Sequence, residues 1–562
     1  MNKKYFFYSC CLALALASCS DDDNTPGNEP SATHDDYSYV GKAVGNFTAE
    51  EWYPGGELGT TDNIASNSYE DETPAVTNQG LSNLFKFGES FFERTFNSTT
   101  KPFNGLGPAW TRDACLTCHP GYGHGKRVTS YNANEYGNGY LLVVYHPDTQ
   151  GYITEVTGMP QTRASYPFLP PIDESGIHLE WKTATDGALP TTFPDGETYE
   201  LIYPEITIDQ EAFNTNPKPT NYEVRLESTI GIYGTGLIDA IPEEELKKQY
   251  QTEASAGATL NPAMWDATAN DWASTAWYTG YPTNATDRTP HIKRYTYALT
   301  RATLQDGPGA NAIWNITNVT RSDRPKLYTT DAWAKAMSEN EEVINTILKE
   351  GKDEESLLHP YYADGTREGI AKAVATLLSP NTDQFDNDVY NFKPEMQDDN
   401  YYELMVWHRG LAVPRARNLH SEQVQRGKEL FYQMGCTACH RPSWKTGSDN
   451  YWADTVVKGQ GELPKYANQT IWPYSDFIQH RLFMKNDIRG AWCRTTPLWG
   501  RGLSKANTGA EDRLHDCRAR NEVEAIMWHD YSRESDAFRS AEKFYNLPKE
   551  DRDAVVAFIR AI

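Results

Sequence analysis

The sequence predicts a mainly α chain, with one helical domain towards each end and a β-rich and irregular insertion between them. Three observations predict it. A Cys-x-x-Cys-His motif occurs twice, at 115–119 and 436–440, 321 positions apart. The second copy follows a run of helical period from Ser421 to Met434, and the chain closes on an amphipathic run from Pro548 to Ile562. Between the motifs, short β-branched and aromatic runs give way to a stretch with no clear period. The 562 residues allow two to four domains at roughly 100–200 residues each, ample for a sizeable core.

Composition removes several function classes. Lys and Arg number 52 against 77 Asp and Glu, a net charge of −25, so binding to a nucleic-acid backbone, which needs clustered cations, is excluded. The 12% aromatic content argues against intrinsic disorder, and a mean hydropathy of −0.67 argues against a multi-span membrane protein.

The first element is a leader. Met1-Asn2-Lys3-Lys4 precedes an apolar stretch from Tyr5 to Ala17 that ends in Leu16-Ala17-Ser18-Cys19. A basic start, a short apolar run and a small-residue end make a secretory signal, too short to span a bilayer with stop-transfer flanks. The segment resembles a bacterial lipobox, with Cys19 as the lipidated first residue of the mature chain. Ser20-Asp21-Asp22-Asp23 resembles the acidic tag of surface lipoproteins and reads equally as linker. The expected location is therefore the bacterial cell envelope, with a lipid anchor in the outer membrane facing the periplasm or the cell surface. Residues 19–75, rich in Asp, Asn, Thr, Gly and Pro, read as a tether and an irregular N-terminal segment.

Setting aside Cys10, Cys11 and Cys19 leaves Cys115, Cys118, Cys436, Cys439, Cys493 and Cys517. Cys115 and Cys118 are followed by His119, and Cys436 and Cys439 by His440. C-x-x-C-H is the attachment signature of c-type haem: two thiols add to the porphyrin vinyl groups and the adjacent His sits on one face of the iron. With 9 Cys and 13 His in 562 residues, about 0.003 chance matches are expected. Half of a zinc site or a redox dithiol competes, but each pair then lacks a second ligand pair or a thioredoxin-like context. Two covalently bound haem c groups are therefore expected, on Cys115, Cys118, Cys436 and Cys439, with His119 and His440 as proximal iron ligands. Cys493 and Cys517, 24 residues apart in an oxidising compartment, are expected to form a disulfide, worth roughly 3 kcal/mol.

The remaining elements follow in order. Residues 81–88 read as a short helix before the first motif, and Gly121, Gly123 and Gly125 as a flexible turn where backbone passes close to a haem edge. Residues 141–145, 199–203 and 222–226 read as strands. Helical period appears at 242–250, opened by Pro242-Glu243-Glu244-Glu245, and again at 331–349, 366–378 and 400–411. Residues 251–330 show no period and read as a long ordered insertion. A helix before a haem motif and a final helix packed on it make the pattern of a cytochrome c domain. The chain therefore divides into a signal, 1–18; the tether, 19–75; a first haem domain with the β-rich insertion, 76–250; an irregular and helical insertion, 251–399; and a second cytochrome-c-like haem domain, 400–562.

Several further segments together resemble one family. They are Gly105-Leu106-Gly107-Pro108, residues 231–242 (Gly-Ile-Tyr-Gly-Thr-Gly-Leu-Ile-Asp-Ala-Ile-Pro), residues 426–431 before the second motif, Trp472-Pro473-Tyr474-Ser475-Asp476, Arg494-Thr495-Thr496-Pro497-Leu498-Trp499-Gly500, Leu514-His515-Asp516 and residues 524–529. Over roughly 80–245 and 400–562 the chain resembles the bacterial di-haem oxidoreductases described as peroxidases or thiol oxidoreductases, a family distantly similar to di-haem cytochrome c peroxidase. The family pattern has Gly at the position of Cys517 and no Cys at that of Cys493, two departures that strengthen the disulfide expectation. It also carries Gly-Gly-Glu after the position of His529, where this chain has Asp530-Tyr531-Ser532. The resemblance implies that His529, 89 residues after His440, is the distal ligand of an electron-transfer haem.

His515 is a second candidate there, though the resemblance suits it better to a structural or propionate contact. Arg518 and Arg520 are candidate propionate partners by charge. For the first haem no distal ligand stands out among His124, His146, His178, Met159 and Met264, which is what an open, peroxide-binding site would look like. Glu155, Glu174 and Glu180 are unranked candidates for the acid/base a peroxidase needs, so the catalytic residues stay unassigned. The resemblance also admits calcium at a domain interface, with no ligand set legible. The expected function is a lipid-anchored di-haem oxidoreductase that reduces hydrogen peroxide at the first haem. Electrons would enter at the second from an electron-donor protein or a quinol chain. Two alternatives stand beside it: a non-catalytic electron-transfer cytochrome with both irons six-coordinate, and haem-based oxidation of a protein or thiol partner.

Overall fold

A computed structural model describes residues 47–98, 105–281, 285–305, 310–488 and 490–562. The signal, Cys19 and the first part of the tether lie outside the described residues.

Helix α1 (Ser82–Glu93) precedes the first motif, whose cysteines occupy a single helical turn, Cys115–Cys118. Four strands follow, β1 (Tyr140–Tyr145), β2 (Ile177–Thr183), β3 (Ile202–Ile208) and β4 (Glu223–Ser228). They pair as two antiparallel ribbons: β1 with β4, from Tyr140 opposite Ser228 to Tyr145 opposite Glu223, and β2 with β3, from Ile177 opposite Ile208 to Thr183 opposite Ile202. Their apolar faces share a core of Val128, Leu142, Val144, Ile206, Ile208 and Leu226.

The helices that follow are α2 (Glu243–Ser255), α3 (Asp331–Ser338), α4 (Glu341–Glu350), α5 (Arg367–Leu378), α6 (Asp398–Arg409) and α7 (Glu422–Met434). The chain ends in α8 (Glu522–Trp528), α9 (Phe538–Tyr545) and α10 (Lys549–Ala561). The period read across 331–349 is two helices, α3 and α4. Asn340 starts the second, its side chain accepting from the amides of Glu342 and Val343. Residues 251–330 hold two-residue strand pairs beside a small core of Tyr250, Met264, Trp265 and Ile292, and the helix Ala310–Thr317. Among the described residues no helix is long and apolar enough to cross a membrane.

Each motif is served by one pair of packed helices. Before the second motif, α7 packs on α10 through Phe431 and Phe558, ring centroids 5.1 Å apart. Gly427 permits the crossing, because a Cβ there would stand 1.9 Å from the Ala554 carbonyl oxygen. Before the first motif α1 packs on α6, with Phe92 4.2 Å from Trp407 between ring centroids, and Gly88 permits it: a Cβ there would stand 2.1 Å from the Glu403 carbonyl oxygen. Helix α6 completes the packing around the first motif, although the sequence order had placed it with the second. Its residues from Leu404 to Arg409 are all buried, so this helix shows the all-round burial of an interior helix rather than a solvent-facing stripe.

The N-terminal segment is packed, not loose, from residue 47 onward. The buried Lys428 Nζ on α7 meets both carboxylate oxygens of the buried Glu51, at 2.8 and 2.9 Å, and Thr60–Thr61 pairs in parallel with Val413–Pro414.

Glu395 yields a pH prediction. Its carboxylate accepts from the amides of Gly105 at 3.3 Å and Thr320 at 3.2 Å, joining the segment before the first motif to the insertion. Burial pushes its pKa from 4.5 up to about 7, against those hydrogen bonds. Between these two values the folded chain holds a proton that the unfolded chain releases, so stability is greatest below 4.5 and falls as pH rises through the window. In Glu395→Gln the fall between about pH 5 and about pH 8 should shrink, read as the thermal midpoint. An undiminished fall in the variant would assign the effect elsewhere.

Candidate functional site

The second motif leaves α7 through Gly435 as a short turn, Cys436–Ala438, and the His440 amide donates back to the Cys436 carbonyl at 2.9 Å. His440 Nδ1–H donates to the Tyr474 carbonyl at 3.0 Å. At the end of α8, His529 Nδ1–H donates to the Ala525 carbonyl at 2.7 Å. Both rings are thereby fixed in the tautomer that leaves Nε2 free as a ligand, the arrangement found around metal-bound histidines. Cys436, Cys439, His440 and His529 line one cleft of about 1400 Å³, part of it open to solvent, whose walls also carry apolar side chains such as Met434, Leu482, Ile526 and Val555 and the charged Arg494, Arg501 and Arg513. Burial drives His440 down to about 4, with nearby His529 a further cause, and also lowers His529. Both are therefore neutral at physiological pH. The structure thus brings the predicted pair of cysteines and both predicted histidines to one cavity.

Burial pushes the Cys436 thiol up to about 12 and raises that of Cys439. A reactive dithiol needs the opposite shift. Among the described residues one compact group of His, Cys, Asp and Glu could hold a metal ion directly: Cys439, Asp476 and His480, whose ligand atoms lie within 4.8 Å of one another. It shares Cys439 with the haem reading, and a sulfur tied up as a thioether would no longer serve it as thiolate. Its thiol and imidazole are not the oxygen set that calcium takes. His480 pairs with Asp476 at 2.7 Å. Burial opposes its protonation, but Cys439, Asp476 and Glu253 together raise its pKa well above the usual value.

Whether the cleft suits a haem is tested by Arg494. This arginine, 2% exposed, lines the cleft, and among the described residues none of its three guanidinium nitrogens has a hydrogen-bond partner. Burial drives its pKa down to about 10. A buried cation without an anion costs several kcal/mol, and the carboxylates of a bound haem are the missing partners that the cleft calls for. The residues therefore fit the group. Arg518 and Arg520, favoured from the sequence, are already engaged. Arg518 donates to both oxygens of Asp516, to Oδ1 at 3.0 Å and to Oδ2 at 2.7 Å, and lies over the Trp528 ring, while Arg520 pairs with Glu524 and Glu200. His515 also lines the cleft, with Nδ1 3.5 Å from Cys493 Sγ and Nε2 3.7 Å from Asp487 Oδ1.

The disulfide expected between Cys493 and Cys517 is not formed: both are free thiols. They face different partners, Cys493 the His515 ring and Cys517 the Ser228 hydroxyl at 3.2 Å and the Gly125 carbonyl at 3.4 Å.

At the first motif, the His119 amide donates to the Cys115 carbonyl at 3.1 Å and His119 Nδ1–H to the Gly123 carbonyl at 3.3 Å. Burial drives its pKa down to about 4, against backbone contacts with Gly123 and Ile230. Gly121 faces the Asn507 carbonyl, and Gly125 faces the backbone of Gly139, so these glycines admit neighbouring protein chain where the sequence suggested a haem edge. His146 and His178 are engaged with the Asn221 carbonyl and Asp209, while His124 has Nδ1 on the Gly125 carbonyl and a buried Nε2 without a partner among the described residues. The candidate acids are engaged elsewhere as well. Glu174 takes the Ala133 amide and Arg163, Glu180 pairs with Lys182, and Glu155 caps Thr154. The carboxylates brought beside this motif are Glu89 and Glu93 of α1, which accept from the Tyr122 hydroxyl at 3.2 and 3.0 Å.

Sequence reasoning missed two residues. One is Arg494, quoted only as part of a motif. The other is His408, 4% exposed on α6, whose Nε2 has no hydrogen-bond partner among the described residues. The signal for His408 was a histidine in a strongly periodic helix; its distance along the chain from the first motif hid it.

The two motifs are also joined. The Thr229 hydroxyl donates to the Cys118 carbonyl at 2.7 Å, and the Ser228 amide donates to the His515 carbonyl at 2.7 Å. The cavity beside this segment is lined by Ile230, Tyr233 and Tyr295 on one side and by Arg494, Trp499 and Arg501 on the other.

Residues 386–562 match the model of the family described as "Di-haem oxidoreductase, putative peroxidase". No curated protein matches the chain.

Proposed function

Residues 386–562 carry the sequence pattern of the di-haem oxidoreductases, and on that premise we propose an exported, lipid-anchored di-haem c-type oxidoreductase. It takes electrons at the second motif and passes them to the first, where hydrogen peroxide is the acceptor. The observation that carries this reading is the pair His440 and His529, held neutral on one cavity with both Nδ1 atoms committed to carbonyls. A site with a histidine for each face has no open position for substrate and suits electron transfer. When bound, haem supplies one-electron redox chemistry at both motifs.

The chain's own residues do the rest. Cys115, Cys118, Cys436 and Cys439 anchor the groups, and Arg494 supplies the cation for propionate. The segment Ser228–Tyr233 gives a short bonded path between the sites. Two electrons and two protons convert one hydrogen peroxide to two waters. The electrons come from an electron-donor protein or a quinol chain, and Glu89 and Glu93 stand beside the first motif as carriers of protons.

The test is the absorbance spectrum of the mature, haem-loaded, half-reduced protein before and after one equivalent of hydrogen peroxide. Loss of a high-spin band, with two electrons consumed per peroxide, is the expected result. An unchanged low-spin spectrum overturns peroxide as acceptor. It would leave a second reading, electron transfer without a small-molecule acceptor.

A further inference from the structure

A cavity of about 760 Å³, part of it open to solvent, lies in the insertion between the two motifs. Its walls include residues 278–281, Arg301, the helix Ala310–Thr317 and the loop that follows as far as Tyr328, all outside the residues that match the di-haem family. Among the described residues none lines both this cavity and the cleft at the second motif.

Two aromatic pairs form part of the wall. Tyr278 and Tyr281 meet at 89° with ring centroids 5.4 Å apart, and Trp314 and Tyr328 at 59° with centroids 5.1 Å apart. The Tyr278 hydroxyl donates to the Gly280 carbonyl at 2.9 Å, the Tyr281 hydroxyl to the Thr289 carbonyl at 2.5 Å and the Trp314 Nε1–H to the Lys326 carbonyl at 2.8 Å. With these polar atoms committed to backbone, the rings themselves are what the pairs offer an occupant. Walls that already meet at steep angles give an entering ring both an edge and a face, the two contacts aromatic rings prefer.

The charge of the cavity opposes that of the chain. The whole sequence is at −25, yet Arg301, Arg324 and Lys326 line this space beside one acid among the described residues, Asp323. Both oxygens of Asp323 are already engaged by Arg321, whose Nε donates to Oδ1 and Nη2 to Oδ2, each at 2.8 Å. Arg324 Nη1 stands 3.8 Å from the same carboxylate, so two buried arginines share one anion and the second of them borders the cavity. Lys326, exposed at the rim, makes no ion pair among the described residues. A concave surface of one sign between low-dielectric walls concentrates ions of the other.

We propose that this cavity binds a small aromatic carboxylate, with its charge on Arg324, Arg301 and Lys326 and its ring against Trp314 and Tyr328. The guanidinium fork matches a planar carboxylate with two parallel hydrogen bonds, and Arg324 lies 5.8 Å from the Trp314 ring centroid, which sets cation and aromatic wall side by side. The site is independent of the reading of the two motifs, because it shares no described lining residue with the haem cleft.

The test is isothermal titration of the intact mature protein with benzoate, beside benzyl alcohol, which keeps the ring and lacks the charge, and cyclohexanecarboxylate, which keeps the charge and lacks the aromatic ring. Benzoate should bind about tenfold more tightly than either. Arg324→Gln should weaken it about ten- to hundredfold. Should that variant fail to fold, Lys326→Gln at the exposed rim still reads the charge and should weaken benzoate about threefold. Absence of benzoate binding overturns the proposal, and so does an affinity that both variants leave unchanged. Tighter binding of glucuronate or of phenyl phosphate than of benzoate overturns the assigned class, in favour of a sugar acid or a phosphate ester.

Discussion

Cys436→Ala/Cys439→Ala is expected to reduce covalent haem from two groups per chain to one, read as halved peroxidase stain on a denaturing gel and as the mass of the intact chain. Both sulfurs line the cleft of about 1400 Å³ between α7, α8 and α10, so their loss leaves that space without its anchored occupant. Arg494 would then keep a buried charge with no anion, a cost on the order of 3–5 kcal/mol. At about 2–4 °C per kcal/mol for a domain of this size, a thermal midpoint about 10 °C lower is expected. The Arg494→Met variant makes the argument specific, because removing the charge should recover part of the loss in the haem-free background. The competing use of Cys439 with Asp476 and His480 predicts something else. In that case the double variant would lose a bound transition metal by elemental analysis and keep its haem content.

Arg409→Met should be nearly as damaging. Arg409 is shared by two buried carboxylates, Asp239 and Asp449, each 2.5 Å from one of its nitrogens. Burial already raises the Asp239 pKa, with Arg409 the largest influence holding it down. Without the guanidinium both carboxylates are buried and unpaired, a loss of about 3–5 kcal/mol. Arg409→Lys should recover less than half of it, because an ammonium cannot reproduce the planar two-pronged reach. An exposed pair provides the contrast: Arg426 meets Asp551 at the surface of α7, and Arg426→Met should cost about 0–1 kcal/mol. Calorimetry of the three variants decides. Equal losses at Arg409 and Arg426 would mean that burial of the clamp contributes nothing.

The sequence displayed its local features well. The helices before each motif, the helix at 242–250 (found as α2), the central strands at 141–145 and 222–226 and the closing helix all have a period or a cap that one stretch of chain carries on its own. The strand read at 199–203 starts later, at Ile202, and the single period at 331–349 broke where Asn340 offered a second start. In the region 251–330 the two-residue strand pairs are too short to leave a period, so nothing there was legible.

The site divides in the same way. The two C-x-x-C-H motifs were plain because haem c attachment would need two thiols and a histidine within one turn, a pattern that five consecutive residues carry. His529 was reachable because its surrounding motif lies on a short helix near the chain end. His408 and Arg494 were not, and neither was the pairing of α6 with α1. A buried histidine, a buried cation at a cleft and a helix that covers a motif need only be near the motif in space, and nothing obliges them to be near it in sequence. The disulfide failed for that reason too: two cysteines 24 residues apart looked like partners, but the fold turned one towards His515 and the other towards Ser228. By itself, then, the sequence displayed two C-x-x-C-H turns, because their cysteines and histidine lie within five consecutive residues. Tertiary structure alone decided what stands opposite each of them, because that depends on which distant helix the core brings across.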